Sequence, residues 1–94
     1  MSDVIATAVA VLREKIASFD GTAKFVINGE GAVMIDAAGV RAGDDEADVT
    51  LTASAQTFRA IFEGDLNPTA AFMSGKLEVD GNMGLAMKLA SVLG

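Results

Sequence analysis

The spacing of hydrophobic positions changes period several times along this chain, and each change marks an element. Ile5, Ala8, Val9, Leu12, Ile16 and Phe19 recur at steps of three and four, which puts them on one face of a helix. Ser2 or Asp3 can cap its start and Asp20-Gly21 ends it, with Arg13, Glu14 and Lys15 on the outer side. The period then falls to two. Phe25 and Ile27 alternate with Lys24, Val26 and Asn28, and Asn28-Gly29 predicts a tight primed hairpin turn. The next strand runs through Val33 and Ile35 to Asp36. Ala38-Gly39 makes a second turn, and Val40 to Ala42 is a short third strand. Gly43-Asp44-Asp45-Glu46 reads as another turn. A fourth strand covers Asp48 to Thr52, with Val49 and Leu51 inward. The expectation for this middle section is an antiparallel meander.

Helical spacing returns in the second half. Ser54 is positioned as an N-cap, Phe58, Ile61 and Phe62 form a stripe, and Gly64 stops the helix. Asn67-Pro68 opens a second short helix, because asparagine satisfies free amides and proline at the first turn sacrifices no hydrogen bond. Ala71, Phe72 and Met73 give it an apolar side, and Gly75 closes it. Lys76 to Asp80 alternates as a fifth strand with Leu77 and Val79 inward. Gly81 turns, Asn82 caps, and Met83 to Leu93 is the last helix. Its apolar arc exceeds the roughly 100° that an ordinary surface helix buries. Met83, Ala86, Met87 and Ala90 mark one stripe, Leu85, Leu89 and Val92 an adjacent one for anchorage. Either two neighbours cover that arc, or it covers something apolar that the sequence does not encode.

Ninety-four residues make one domain, 1–94, with no linker or repeat. A net charge of −6 opposes nucleic acid and anionic headgroups, which are bound mainly through Lys and Arg. Membrane contact is therefore expected to be weak at most. The longest apolar stretch, Val4 to Leu12, is too short to cross about 30 Å of hydrocarbon. Only Asp3 stands before it where a signal peptide wants positive charge, so the expected location is cytoplasmic.

The chain contains no His, Cys, Tyr or Trp. The commonest general base and the best nucleophile are both absent, and no catalytic residue is assigned. Ser54 and Ser74 fit caps or turns. Asp44, Glu46 and Asp48 are spaced like the first ligands of a calcium loop. But Val49 stands where that loop needs glycine and Ala55 where it needs glutamate, so no metal site is expected. Gly29-Glu30-Gly31 lacks the third glycine of a dinucleotide fingerprint, and no cofactor is expected. Met83 and Met87, with Met73 upstream, fit either core packing or a surface that adapts to ligands.

Residues 47–89 carry something more specific. Ala47-Asp48-Val49-Thr50-Leu51-Thr52 is followed by Phe58, then by Gly64-Asp65-Leu66-Asn67-Pro68 and Ala71-Phe72-Met73. Gly75-Lys76-Leu77-Glu78-Val79 and Asn82-Met83-Gly84-Leu85-Ala86-Met87-Lys88-Leu89 complete the series. In order and spacing this series closely resembles the sterol carrier protein type 2 (sterol-transfer) domain family. Residues 20–43 match it only in pattern, and residues 1–19 only as an amphipathic helix.

The resemblance implies an α+β fold. A five-stranded, largely antiparallel sheet carries helices on one face and encloses an apolar tunnel for sterols, fatty acyl chains or acyl-CoA. Phe25, Ile27, Val33, Ile35, Val49, Leu51 and Leu77 would floor that tunnel. Phe58, Ile61, Phe62, Leu66, Phe72, Met73, Met83 and Met87 would roof it, with the last helix as a lid. The chain departs from the family in ending Ser-Val-Leu-Gly rather than in a peroxisomal tripeptide, and in a first helix that is not basic. Short hairpins favour a small cavity suited to a fatty-acid chain. The expected function is non-enzymatic binding and carriage of a lipid-like molecule. The alternative is an accessory module presenting lipid to a separate lipid-metabolising enzyme, as a monomer or homodimer.

Overall fold

The computed structural model describes residues 3–93. The elements are α1 (Asp3–Lys15), β1 (Ala23–Ile27), β2 (Gly31–Asp36), β3 (Gly39–Ala42), β4 (Val49–Ala53), α2 (Ala55–Phe62), α3 (Pro68–Met73), β5 (Leu77–Gly81) and α4 (Met83–Leu93). The Ser2 cap lies outside the described residues. The strands form one sheet in the order β3-β2-β1-β4-β5.

Alternation fixes which side chains meet the helices. Register places Val40, Ile35, Ala23 and Val49 in one inward row, and Val33, Phe25, Leu51 and Val79 in the next. Ile27, Ala53 and Leu77 form a third row. These rows share one core with Ile5, Ala8 and Leu12 of α1, Phe58 and Ile61 of α2, Ala71 of α3, and Ala86 and Leu89 of α4. All four helices therefore cover the same face. No buried side-chain polar atom lacks a partner among the described residues.

Three expectations need correction. First, β4 does not continue the meander: it pairs in parallel with β1, on the side away from β2. Strands β3 and β4 run in the same direction with β2 and β1 between them, so a tight hairpin cannot join them and residues 43–48 cross the outer face of the sheet. Gly43 N–H donates to Ala32 O at 3.1 Å at one end, and Asp48 N–H to Thr22 O at 3.0 Å at the other. This acidic segment is a strap. It covers Met34, 1% exposed on the outer face, and Asp44 pairs with Lys24 at 2.8 Å. A side chain at Gly43 would press on Met34.

Second, α1 ends at Lys15, although Ile16 and Phe19 stay buried beyond it. Phe19 N–H donates to Asp36 O at 3.1 Å, a bond to β2 that competes with helix continuation. Third, the β1–β2 loop is not a two-residue primed turn. Only Gly29 has positive φ at its centre, and the loop spans 28–30, closed by Glu30 N–H donating to Ile27 O.

Side-chain caps then set the second half. Ser54 Oγ accepts from Thr57 N–H at 3.2 Å. Asn67 Oδ1 accepts from Thr69 and Ala70 N–H at 2.8 and 3.3 Å. Asn82 Oδ1 accepts from Leu85 N–H at 3.0 Å, while Asn82 N–H donates to Asp48 O at 2.8 Å. Gly81 makes this last contact possible: its φ is +109°, and any Cβ there would overlap the Asp48 carbonyl oxygen. The close approach fixes where α4 starts, over β4 and β5.

Candidate lipid-binding groove

An apolar cavity of about 490 Å³ lies between α3, α4 and the β4–β5 edge. Leu51, Leu77 and Val79 form its floor. Pro68, Phe72 and Met73 form one wall; Met83, Ala86, Met87 and Ala90 form the other. The polar lining is Asn67, Thr69 and Ser91, and no lining residue is charged. The volume falls in the range that takes small-molecule ligands, roughly 300–1,000 Å³.

The walls are positioned by the short elements just described. The Asn67 cap and Pro68 start α3, and Lys76 N–H donating to Ala71 O returns the chain directly into β5. The hydrogen-bonded Asn82 holds the first turn of α4. Within α4, Leu89 is fully buried and Ala86 nearly so, and these fasten the helix. Leu85 is half-buried. Val92 was expected to share that anchorage, but it is 40% exposed. Met87 is 71% exposed and Met73 81%, so the groove opens to solvent between two methionines.

Such a site has no acid–base or metal chemistry in its own walls. What it can do is remove apolar surface from water. A carboxyl with altered acidity lies elsewhere: a hydrogen bond from Arg41 holds Asp36 below the usual carboxylate range, helped by Ala38 N–H, at the β2–β3 turn.

A second, smaller cavity of about 190 Å³ lies between α1, α2 and the end of β1. Val4, Ala8, Val11, Ile27, Phe58 and Phe62 line it, with Asp3, Arg59 and Glu63 around them. It shares no lining residue with the groove. Phe58 packs edge-on against Phe25, ring centres 4.9 Å apart.

The structure distributes the sequence-predicted residues over three places. Leu51, Phe72, Met73, Leu77, Met83 and Met87 meet at the groove. Ile27, Phe58 and Phe62 line the smaller cavity. Phe25, Val33, Ile35, Val49 and Ile61 are packed core and border neither, as does Leu66, which is half-buried against the core. Missing from the predicted set are Asn67, Pro68, Thr69, Val79, Ala86, Ala90 and Ser91. Two signals pointed to some of these: Val79 alternates with Leu77, and Ala86 and Ala90 continue the Met83–Met87 stripe. Nothing in the sequence marked Thr69 or Ser91.

Comparison with known proteins agrees with this architecture. Residues 3–94 match the model of the SCP-2 sterol transfer family. The chain is 39% identical over 93 residues to hydroxysteroid dehydrogenase-like protein 2 of Xenopus laevis, an alignment covering 90% of this chain and 22% of that protein. This chain thus spans about a fifth of the length of that relative. Among solved structures, sterol carrier protein 2-like 2 of Aedes aegypti superposes with a TM-score of 0.80 at 25% identity, covering 95% of both chains. Sterol carrier protein 2 of the same organism, solved with palmitate, superposes at 0.72 with 26% identity, covering 100% of this chain and 97% of that one.

Proposed function

The chain belongs to the SCP-2 sterol transfer family, and we propose that it binds and carries a single lipid-like molecule, with a fatty-acid chain as the favoured cargo. The observation that carries this reading is the uncharged, largely apolar groove floored by Leu51, Leu77 and Val79 and left open between Met73 and Met87. The fold relative solved with palmitate supports the cargo class.

Each buried methylene contributes about 0.8 kcal/mol. Micromolar affinity needs about 8 kcal/mol, so about ten methylenes reach it before ordering costs. A sixteen-carbon chain has margin for those costs. Its polar end would sit at the rim, near the uncharged Asn67, Thr69 and Ser91. With no charge in the lining, capture depends on apolar contact and is insensitive to salt. The absence of His and Cys supports carriage without chemistry. Presentation of lipid to a dehydrogenase-type enzyme is the second reading; the match to part of a dehydrogenase-like protein favours it.

Titration with a fluorescent fatty acid tests the proposal. We expect saturation at one site per chain, with affinity unchanged between low and high salt. Ala90→Phe fills the groove from its α4 wall and should lower affinity at least about ten-fold, since the site then loses room for several methylenes. No saturable binding up to the solubility of the probe would defeat the carrier reading.

A further inference from the structure

The two edges of the sheet are finished differently. Gly43 N–H donates to Ala32 O, and bonded and unbonded positions alternate along an antiparallel pair, so Val40 and Ala42 turn their backbone groups away from β2. Helix α1 closes that edge: Arg13 Nε donates to Val40 O at 2.9 Å in a part-buried bond. The same alternation governs β5. Asn82 N–H donates to Asp48 O at 2.8 Å, so Asp80 and Glu78, opposite Thr50 and Thr52, bond to β4. Leu77, Val79 and Gly81 turn their N–H and C=O groups outward, and among the described residues nothing bonds to them.

An open edge is a template for a further strand, and its charges decide which strand fits. Glu78 and Asp80 are exposed and lie on the outer face, opposite in direction to Leu77 and Val79. Neither forms an ion pair among the described residues. Across β4, Lys24 stands in register with Thr50, but Asp44 engages it at 2.8 Å. Lys76, just ahead of the strand, pairs with neither acid. A second copy fits this edge badly. Two β5 strands paired antiparallel about Val79 would set Glu78 directly against Asp80 on both sides, and like charges in opposite positions destabilise a pair. The β3 edge of a second copy is capped already.

We infer that the β5 edge receives an extended segment of another protein in which basic and apolar residues alternate. Its backbone continues the ladder at Leu77, Val79 and Gly81. Its Lys or Arg side chains lie beside Glu78 and Asp80 on the outer face. Its apolar side chains lie beside Leu77 and Val79, which are also floor residues of the groove. The partner thus sits next to the groove, whatever cargo the groove holds. Each exposed cross-strand pair adds only a few-fold in affinity, so the contact is weak and falls as salt rises.

Titration of the full chain with a short peptide alternating lysine and valine tests this, with a peptide alternating glutamate and valine as control. The lysine peptide should bind and the glutamate peptide should not. Hydrogen exchange supplies the signature of an added strand: the amides of Leu77, Val79 and Gly81 should slow on binding, while those of Glu78 and Asp80, already bonded to β4, should change little. Glu78→Lys and Asp80→Lys should each weaken the lysine peptide about five-fold. Glu14→Lys on α1, an equal change in net charge, should leave it nearly unchanged. Fatty-acid affinity should stay at wild type in the β5 variants, because neither acid lines the groove. Equal binding of the two peptides overturns the proposal, as does a lysine peptide that fails to bind at its solubility limit. Protection spread evenly along β5, or sensitivity to Glu14→Lys as great as to the other two, would reduce the contact to net charge and also overturn it. So would loss of fatty-acid binding in Glu78→Lys, which would place that charge at the groove. Self-association that protects Leu77, Val79 and Gly81 without peptide would make a second copy the occupant and overturn the basic partner.

Discussion

Helices α1 and α4 cover the same face of the same sheet, and both read as amphipathic, yet they do opposite things with their apolar side chains. In α1, Ile5, Ala8 and Leu12 are all buried, and the stripe continues into Ile16 and Phe19 after the helix ends. Among the described side chains of α4, only Ala86 and Leu89 are buried, while Met83, Met87 and Val92 remain 40% or more exposed. The difference follows from what lies beneath. Helix α1 packs on β2 and β3, whose inward residues Val33, Ile35 and Val40 are bulky and β-branched. Helix α4 lies over β4 and β5, where the floor is Leu51, Leu77 and Val79 and the facing wall is a helix of six residues. Two short elements cannot fill the space under a wide apolar arc, and the remainder is the groove. A surplus of apolar surface on one helix becomes a binding site only when its neighbours are too short to consume it.

The most direct way to break this comparison is to truncate one side chain from each helix. Leu12→Ala and Leu89→Ala both delete fully buried methyl groups and should cost about 2–5 kcal/mol. Met87→Ala should cost less than about 1 kcal/mol, because its side chain already lacks close partners on one side. Fatty-acid affinity should show the reverse order: Met87→Ala lowers it, while Leu12→Ala leaves it near wild type under conditions where the fold is intact. Denaturant midpoints and probe titrations on the three variants give both readings. Equal stability losses with unchanged affinity would return Met87 to the core and remove the contrast between the helices.

A smaller effect tests whether the α3 wall is held by its cap. Asn67 Oδ1 satisfies two backbone amides, and α3 has only six residues over which to spread the loss. Asn67→Ala should therefore cost about 1 kcal/mol, and it should loosen the groove more than the core. Hydrogen exchange should accelerate at Thr69 and Ala70 while the amides of β1 and β2 keep their protection. Uniform acceleration across both regions would mean that α3 and the α1 side unfold as one unit, and the two halves would not be independent.

The two regions also differ in how far the sequence disclosed them. Caps at Ser54, Asn67 and Asn82, the inward alternation of Phe25, Ile27, Val49 and Leu51, and the stop at Gly64 were legible because each depends on local chemistry. The parallel pairing of β4 with β1 was not. Alternation shows which face a strand buries, but the choice of neighbour is made at long range, through the strap over Met34 and the close approach at Gly81. The groove was legible only in part for a related reason. A periodic stripe identifies apolar residues without saying whether protein or ligand covers them, so Phe25, Val33 and Ile35 could not be told from Leu77 or Met83. Thr69 and Ser91 are polar residues on helices, and nothing local distinguishes a groove rim from ordinary solvent.

The smallest expected effect sharpens the comparison by titration. The groove has no titratable lining, whereas the sheet edge beside α1 carries Asp36, hydrogen-bonded to Arg41 at 2.8 Å and to Ala38 N–H at 2.9 Å. Those bonds favour the carboxylate and hold its pKa below the ordinary range. A depressed folded-state pKa adds stability that is fully present above the unfolded carboxylate pKa, and that is lost as pH falls through the folded value. Acid should therefore weaken the β2–β3 turn at this pair only below the ordinary carboxylate range, and the contribution is small because both groups are partly exposed. Asp36→Asn should lower the thermal midpoint slightly at neutral pH and flatten its decline through the acidic range. Affinity for an uncharged apolar probe should stay constant across the same interval in both proteins, for as long as they remain folded. An identical acid profile in the variant would show that other carboxylates govern the decline. A probe affinity that falls with wild-type acidification before any unfolding would place a titrating group at the groove, and the division between a charged, packed side and a neutral, open one would fail.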